Sequence, residues 1–136
     1  MRVSDTEIKK KDKDKEKDKE KELENQKVSK ADAYIRGYEE SRKLLALNIY
    51  EKNTTSEWRE SGKEGLGDTF FNRARMFDIR HKVMELPNGD EKLILYYHYI
   101  KGESIDRCAD LLGLSRSTAF RIKRKGLVML YDLMNK

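Results

Sequence analysis

The sequence predicts an all-α protein, with a trihelical helix-turn-helix at its C-terminal end, a helical arm ahead of it and a disordered charged tail at the start. Apolar residues recur three and four positions apart over segments 30–52, 68–86 and 91–134, the spacing that lines one face of a helix. Ser104, Gly113 and Ser115 punctuate the last of these segments where two helices would meet end to end. Between Leu111 and Tyr131 no acidic residue offsets five cations, Arg116, Arg121, Lys123, Arg124 and Lys125.

Composition sets the outer limits. A chain of 136 residues that is 40% charged, with one proline, holds one modest core. Its net charge of +5 and pI near 9.2 permit a polyanion partner without demanding one. The single cysteine, Cys108, excludes an internal disulfide and reads as a small buried apolar residue. The two histidines, His81 and His98, have no paired cysteines beside them, so no zinc motif is formed. No spacing of His, Ser, Cys and carboxylates makes a nucleophile-base pair, and neither an enzyme nor a cofactor is expected. No stretch resembles a signal peptide or a membrane span, so the expected location is the cytoplasm.

Residues 1–29 form the tail, where Lys alternates with Asp or Glu almost residue by residue from Lys9 to Glu24. A helix would set like charges at i and i+4 and opposite charges at i and i+3, and a strand would have two wholly polar faces. Neither buries anything, so a disordered or transiently helical polyampholyte is expected. Eleven Lys or Arg stand against nine carboxylates in the first 30 residues, a near balance that argues against a nucleic-acid arm.

The arm spans residues 30–86. Its first helix, about 30–52, carries Ile35, Tyr38, Leu45 and Ile49 on one stripe, widened by Leu44 and Leu47. Arg42 inside that stripe suggests a partly exposed or intermolecular face. A loop follows at about 53–68, broken by Asn53, Thr54, Thr55, Ser56, Gly62, Gly65 and Gly67, with Trp58 and Leu66 expected to tuck onto the helices. The second helix is expected from Asp68, as N-cap, to Leu86, just before Pro87. Phe70, Ala74, Phe77, His81 and Met84 form one stripe on it, with His81 half-buried, and Met76, Ile79 and Val83 form another. Such width fits packing against two neighbours, and the broad stripes of both segments raise a homodimer as a hypothesis.

Residues 87–136 form the last unit. Pro87-Asn88-Gly89 reads as a turn, and Asp90 as the cap of a helix over 91–101 whose apolar side is Leu93, Tyr96, Tyr97 and Ile100. The next helix starts behind Ser104 and ends at Gly113, which takes the positive φ a sharp exit needs. A third starts behind Ser115 and runs from Arg116 to about Met134. Cys108, Leu112, Leu114, Ala119 and Ile122 would face one another across the crossing, and Ala109 is small enough to let the helices approach. Leu127, Leu130, Tyr131 and Met134 continue the apolar stripe, to pack on the segment 68–86 or to pair with a second subunit. The outer face keeps Arg116, Ser117, Phe120, Arg121 and Arg124, donors and cations suited to the DNA major groove.

The run Ser115-Arg116-Ser117-Thr118-Ala119-Phe120-Arg121-Ile122-Lys123-Arg124-Lys125-Gly126-Leu127, preceded by Leu86-Pro87 and by Glu91 to Gly102, resembles region 4 of primary sigma factors. Within that group it is most similar to small phage regulators of the ArpU and RinA type, which drive late-gene transcription in phages of Gram-positive bacteria. The resemblance covers about residues 68–130. It implies that Arg116, Ser117, Phe120 and Arg121 read bases in a promoter element, and that host RNA polymerase is a partner. Sigma factors usually carry an acidic residue where Ser117 stands and an Arg where Phe120 stands, so a target other than the housekeeping promoter element is implied.

The chemistry of the groove gives each residue a role. Arg116 and Arg121 can each donate two parallel hydrogen bonds to guanine O6 and N7. Ser117 can bond more than one base. Phe120 either contacts thymine methyl groups or packs beneath the C-terminal stripe. Ser115, Thr118, Lys123, Arg124 and Lys125, with the backbone N–H groups of the first turn, would serve phosphates. The expected function is therefore a sequence-specific transcription regulator on double-stranded DNA. A phage DNA-packaging factor of the small terminase kind and a module that docks its basic helix on an acidic protein are the alternatives.

Overall fold

A computed structural model of the chain describes residues 5–54 and 62–136. Among them the protein is all-helical. The elements are α1 (Asp5–Thr54), α2 (Gly62–Met84), α3 (Asp90–Leu95), which continues as a π-helical turn over Tyr96–Ile100, α4 (Ile105–Leu112) and α5 (Arg116–Met134). Among the described residues no helix is long and apolar enough to cross a membrane.

The N-terminal region differs from the expectation of a disordered tail at 1–29. Helix α1 runs without a break from Asp5 through the arm. Opposite charges at i and i+3 support such a helix, and its middle acquires a tertiary partner the sequence pattern does not display. Lys27 Nζ lies 3.0 Å from Asp132 of α5, Lys27 and Lys30 sit over the Tyr131 ring, and Ala31 and Ile35 are fully buried. The long α5 thus packs along α1 as well as touching α2.

Helix also occupies both ends of the loop expected at 53–68. Helix α1 persists to Thr54 and α2 begins at Gly62 rather than behind Asp68. Trp58, with the rest of 55–61, and the packing of Leu66 lie outside the described residues. α1 and α2 pack together along much of their length. Gly37 and Ser41, one turn apart and both buried, leave room on α1, and the Arg75 guanidinium lies across Gly37. Tyr34 donates from its phenol to Asp78 Oδ2 at 2.5 Å. On α1 the buried face is Ala31, Ile35 and Ser41, whereas Leu44, Leu47 and Ile49 of the expected stripe are exposed.

On α2 the two expected stripes part company. Ile79 and Val83 are buried, together with Asn72 and Leu86. The stripe Phe70, Ala74, Phe77, His81 and Met84 is exposed throughout, so His81 is a surface residue and not half-buried. The helix packs through one face because α1 and the C-terminal unit lie on the same side of it.

Asp90 does not cap α3 as expected. Gly89 occupies the cap position without a side-chain bond, and Asp90 and Glu91 stand in the first turn, where their charge favours the helix N-terminus. The apolar side shifts too. Ile94, Leu95, Tyr99 and Ile100 are buried while Leu93 is exposed. The π turn explains it: its wider winding spaces aligned positions five apart, so Ile94 stands in line with Tyr99 and Leu95 with Ile100, and Lys101 N donates to Tyr96 O at 3.0 Å. Gly126 of α5 lies so close to α3 that a Cβ there would stand 3.1 Å from Glu91 O and 3.2 Å from Leu95 Cγ.

The core that results draws on all five helices. It joins Ile35 of α1, Ile79 and Val83 of α2, Ile94 and Leu95 of α3, Cys108 and Ala109 of α4, and Ala119, Leu127 and Leu130 of α5.

Candidate nucleic-acid interface

The start of α5 is built by local rules that the sequence displays. Ser104 Oγ accepts from Arg107 N at 3.1 Å and starts α4. Gly113 ends it at φ 67°, in the left-handed region. Ser115 Oγ accepts from Thr118 N at 3.3 Å and donates to Thr118 Oγ1 at 2.8 Å, starting α5. Cys108, Ala109 and Ala119 are buried where α4 meets α5. With that inner side fixed, the helical period turns Arg116, Ser117, Phe120 and Arg121 outward, and all four are exposed.

The four differ in how free they are. Arg116 Nε lies 3.3 Å from Asp106 Oδ1 of α4, and its guanidinium stands 5.7 Å from the centre of the Phe120 ring. Phe120 is 44% exposed, so of its two expected positions it takes the outer one, and Lys123 Nζ also stands 5.7 Å from its ring centre. Arg121 Nη2 donates to Thr118 Oγ1 at 3.4 Å, a bond within the helix that leaves the guanidinium's other donors unspent there.

The residues expected at phosphates do not form one surface. Lys123, Arg124 and Lys125 are consecutive, so the helix fans them about 100° apart. Lys123 Nζ lies over the Tyr99 ring at 5.8 Å. Arg124 Nε donates to Glu24 Oε1 of α1 at 2.9 Å, and its Nη2 donates to Asn25. Lys125 Nζ stands 3.4 Å from Glu91 Oε1 of α3. Ser115 and Thr118 hydroxyls are engaged with each other in the cap. Glu24, Glu91 and Asp106, the carboxylates that pair with Arg124, Lys125 and Arg116, are neighbours of this face that the sequence pattern does not display. For Glu24 the only signal was the regular recurrence of acids in the tail, which names no partner.

Beside this face α1 and α5 enclose a groove of about 400 Å³, lined by Glu20, Leu23, Glu24 and Lys27 on one side and Arg121, Arg124, Lys125 and Val128 on the other. Elsewhere on α1, Asp32 receives Arg36 Nε at 2.7 Å and the Tyr99 phenol at 2.6 Å. Burial pushes the Asp32 carboxyl up, but those two bonds and the Arg36 and Lys123 charges outweigh it and hold it below its ordinary value. Burial pushes the Cys108 thiol up, which suits an inert packing residue. Among the described residues no group of three His, Cys, Asp or Glu side chains could hold a metal ion.

No family model, curated protein or solved structure matches this chain.

Proposed function

We propose that this protein is a sequence-specific DNA-binding transcription regulator, that α3 to α5 form a sigma region 4-like trihelical helix-turn-helix, and that α5 enters the major groove. The observation that carries the reading is the first two turns of α5. Arg116, Ser117, Phe120 and Arg121 share one exposed face, Ala119 behind them is fully buried, and the helix carries no carboxylate until Asp132. Arg121 and Arg116 read guanine, Ser117 a neighbouring base, and Phe120 a thymine methyl. Thr118, Lys125 and the free N–H groups of the first turn take phosphates. By its resemblance to the late-gene regulators, the target is a phage promoter or operator and host RNA polymerase is a further partner.

Selection of bound duplexes from random DNA and from the source genome, at two salt concentrations, tests this. Wild type is expected to enrich one motif. Arg121→Ala is expected to lose on the order of 1–3 kcal/mol and to relax the preference at one position. Enrichment of no motif, with release of all DNA at modest salt, overturns the reading and leaves a general polyanion surface. A motif located at a packaging site instead of ahead of genes would assign the protein to DNA packaging.

A further inference from the structure

Helix α2 has two apolar faces, and among the described residues only one is covered. Asn72, Ile79, Val83 and Leu86 face inward and are buried. On the opposite side, Phe70, Ala74, Phe77, His81 and Met84 are all exposed, with Phe70 at 74% and Phe77 at 72%. Their spacing is four, three, four, three, the repeat of 3.5 residues that forms the seam between two helices. Two exposed cations, Arg73 and Arg80, flank the stripe on one side. Two exposed acids, Asp78 and Glu85, flank it on the other.

We propose that this face pairs with the same face of a second copy of the chain, the two α2 helices lying parallel and in register about a two-fold axis. The charges decide both the occupant and the direction. In a parallel pair the residue just before one seam position stands near the residue five further along the partner helix. Arg73 then meets the partner's Asp78 and Arg80 meets the partner's Glu85, and symmetry makes each pair twice. Antiparallel pairing sets arginine against arginine and acid against acid. The stripe is therefore complementary to itself in one direction only.

The exposed groups are already ordered for this. His81 stacks on Phe77 with ring centres 5.9 Å apart and planes 8° from parallel, and His81 Nε2 lies 3.0 Å from Glu85 Oε1. The bond from the Tyr34 phenol fixes the Asp78 carboxylate, which has capacity for a further donor. A helix already held straight by α1 does not bear the nucleation cost that makes a short isolated pair of helices marginal. Where the DNA-binding reading holds, on which this consequence alone rests, two α5 helices related by the two-fold read an inverted repeat.

Sedimentation of the full chain without DNA, over a range of concentrations, is the test. Wild type is expected to sediment as two chains. Phe77→Glu, at a site exposed in the single chain and so compatible with its fold, is expected to weaken association on the order of 100-fold by burying a charge at the seam. Arg80→Glu is expected to weaken it about tenfold, and Arg80→Glu combined with Glu85→Arg to restore it. Met84→Cys is expected to form a disulfide-linked dimer under mild oxidation, since parallel register sets the two positions side by side, while the native Cys108 is buried and stays silent. A single chain at every concentration overturns the proposal. So does a dimer indifferent to Phe77→Glu, a charge swap that fails to restore pairing, or Met84→Cys that does not cross-link. The arms need no DNA: a dimer that selects no sequence sinks the transcription reading alone, and a monomer that selects one sinks only this inference.

Discussion

Ser41 shows how single atoms set the stability of the arm. Its hydroxyl is fully buried and has no hydrogen-bond partner among the described residues, so folding strips it of water without return. Ser41→Ala is expected to raise stability by about 1 kcal/mol, from the desolvation relieved and the better helix propensity of alanine, as read by denaturant midpoint. Two titrating groups work the other way. Burial, with the Lys123 and Arg36 charges, holds the His98 imidazole below its ordinary 6.5 even though its ring bonds to Glu103 O. Asp32 is held below its ordinary 3.8. Both groups bind protons more readily in the unfolded chain, so each contributes stability above its ordinary value that is lost as pH falls through the folded one. Stability measured against pH is expected to decline in two windows, below about 6.5 and again below about 3.8. Asp32→Asn should abolish the second, and a second window that persists in this variant would assign it to other carboxylates. At the interface, Glu24→Gln releases Arg124 from the pair at 2.9 Å. Both side chains are more than two-fifths exposed, so stability should hardly change. DNA affinity should rise, with the slope of log K on log salt steepening by about 0.9, one added phosphate contact. An unchanged slope would show that Arg124 does not reach the backbone.

At the scale of elements, what the sequence made legible was whatever local chemistry decides. Ser104, Gly113 and Ser115 announced α4 and the start of α5, because a cap bond and a positive φ depend on three or four neighbouring residues. The face of α3 was legible only in part. Of Leu93, Tyr96, Tyr97 and Ile100, which have the ordinary helical spacing, Ile100 is buried and the two tyrosines pack half-buried on the core, but Leu93 is exposed, and the π turn rewinds the chain so that Ile94, Leu95 and Tyr99 are buried as well. Nor could periodicity choose between the two stripes of α2, since each satisfies it and only the placement of α1 and the C-terminal unit decides. The crossing of α3 and α5 depends on Gly126 in the same way. A single Cβ there meets a backbone oxygen at 3.1 Å, which cannot swing aside as a side chain would. Gly126→Val is expected to cost about 1–3 kcal/mol through overpacking. It should also lower DNA binding by tilting α5, whereas a variant as stable as wild type would mean the helices simply move apart.

For the whole molecule, the largest departure is α1, a single helix of 50 residues where a disordered tail followed by a separate helix was expected. The alternating charges of the tail are consistent with either state, because a helix with no apolar face to bury is marginal in water unless tertiary contacts add to it. That support is unevenly distributed along α1. From Glu24 to Ser41 the helix is tied to α5 by the Arg124 and Lys27 pairs, to the π turn through Asp32 and Tyr99, and to the core through Ala31 and Ile35. Residues 15–22 are exposed on every side, and there like charges recur at i and i+4, as in Lys17 and Lys21 or Glu16 and Glu20. Helix without tertiary packing is marginal in water, whereas helix inside a cooperative core opens only with the whole domain. Amide hydrogen exchange should therefore fall into two classes along one continuous helix. Amides of 31–41 are expected to be protected to near the global stability, and those of 15–22 to exchange within about tenfold of the free-chain rate, with a boundary near Glu24. Removing the two ion pairs to α5 together, with Arg124→Ala and Asp132→Asn, should move that boundary toward Ala31 without altering protection in α4. Uniform protection from residue 15 onward would show instead that the charge pattern alone sustains the helix, and that α1 runs past α5 as a rigid rod independent of its contacts.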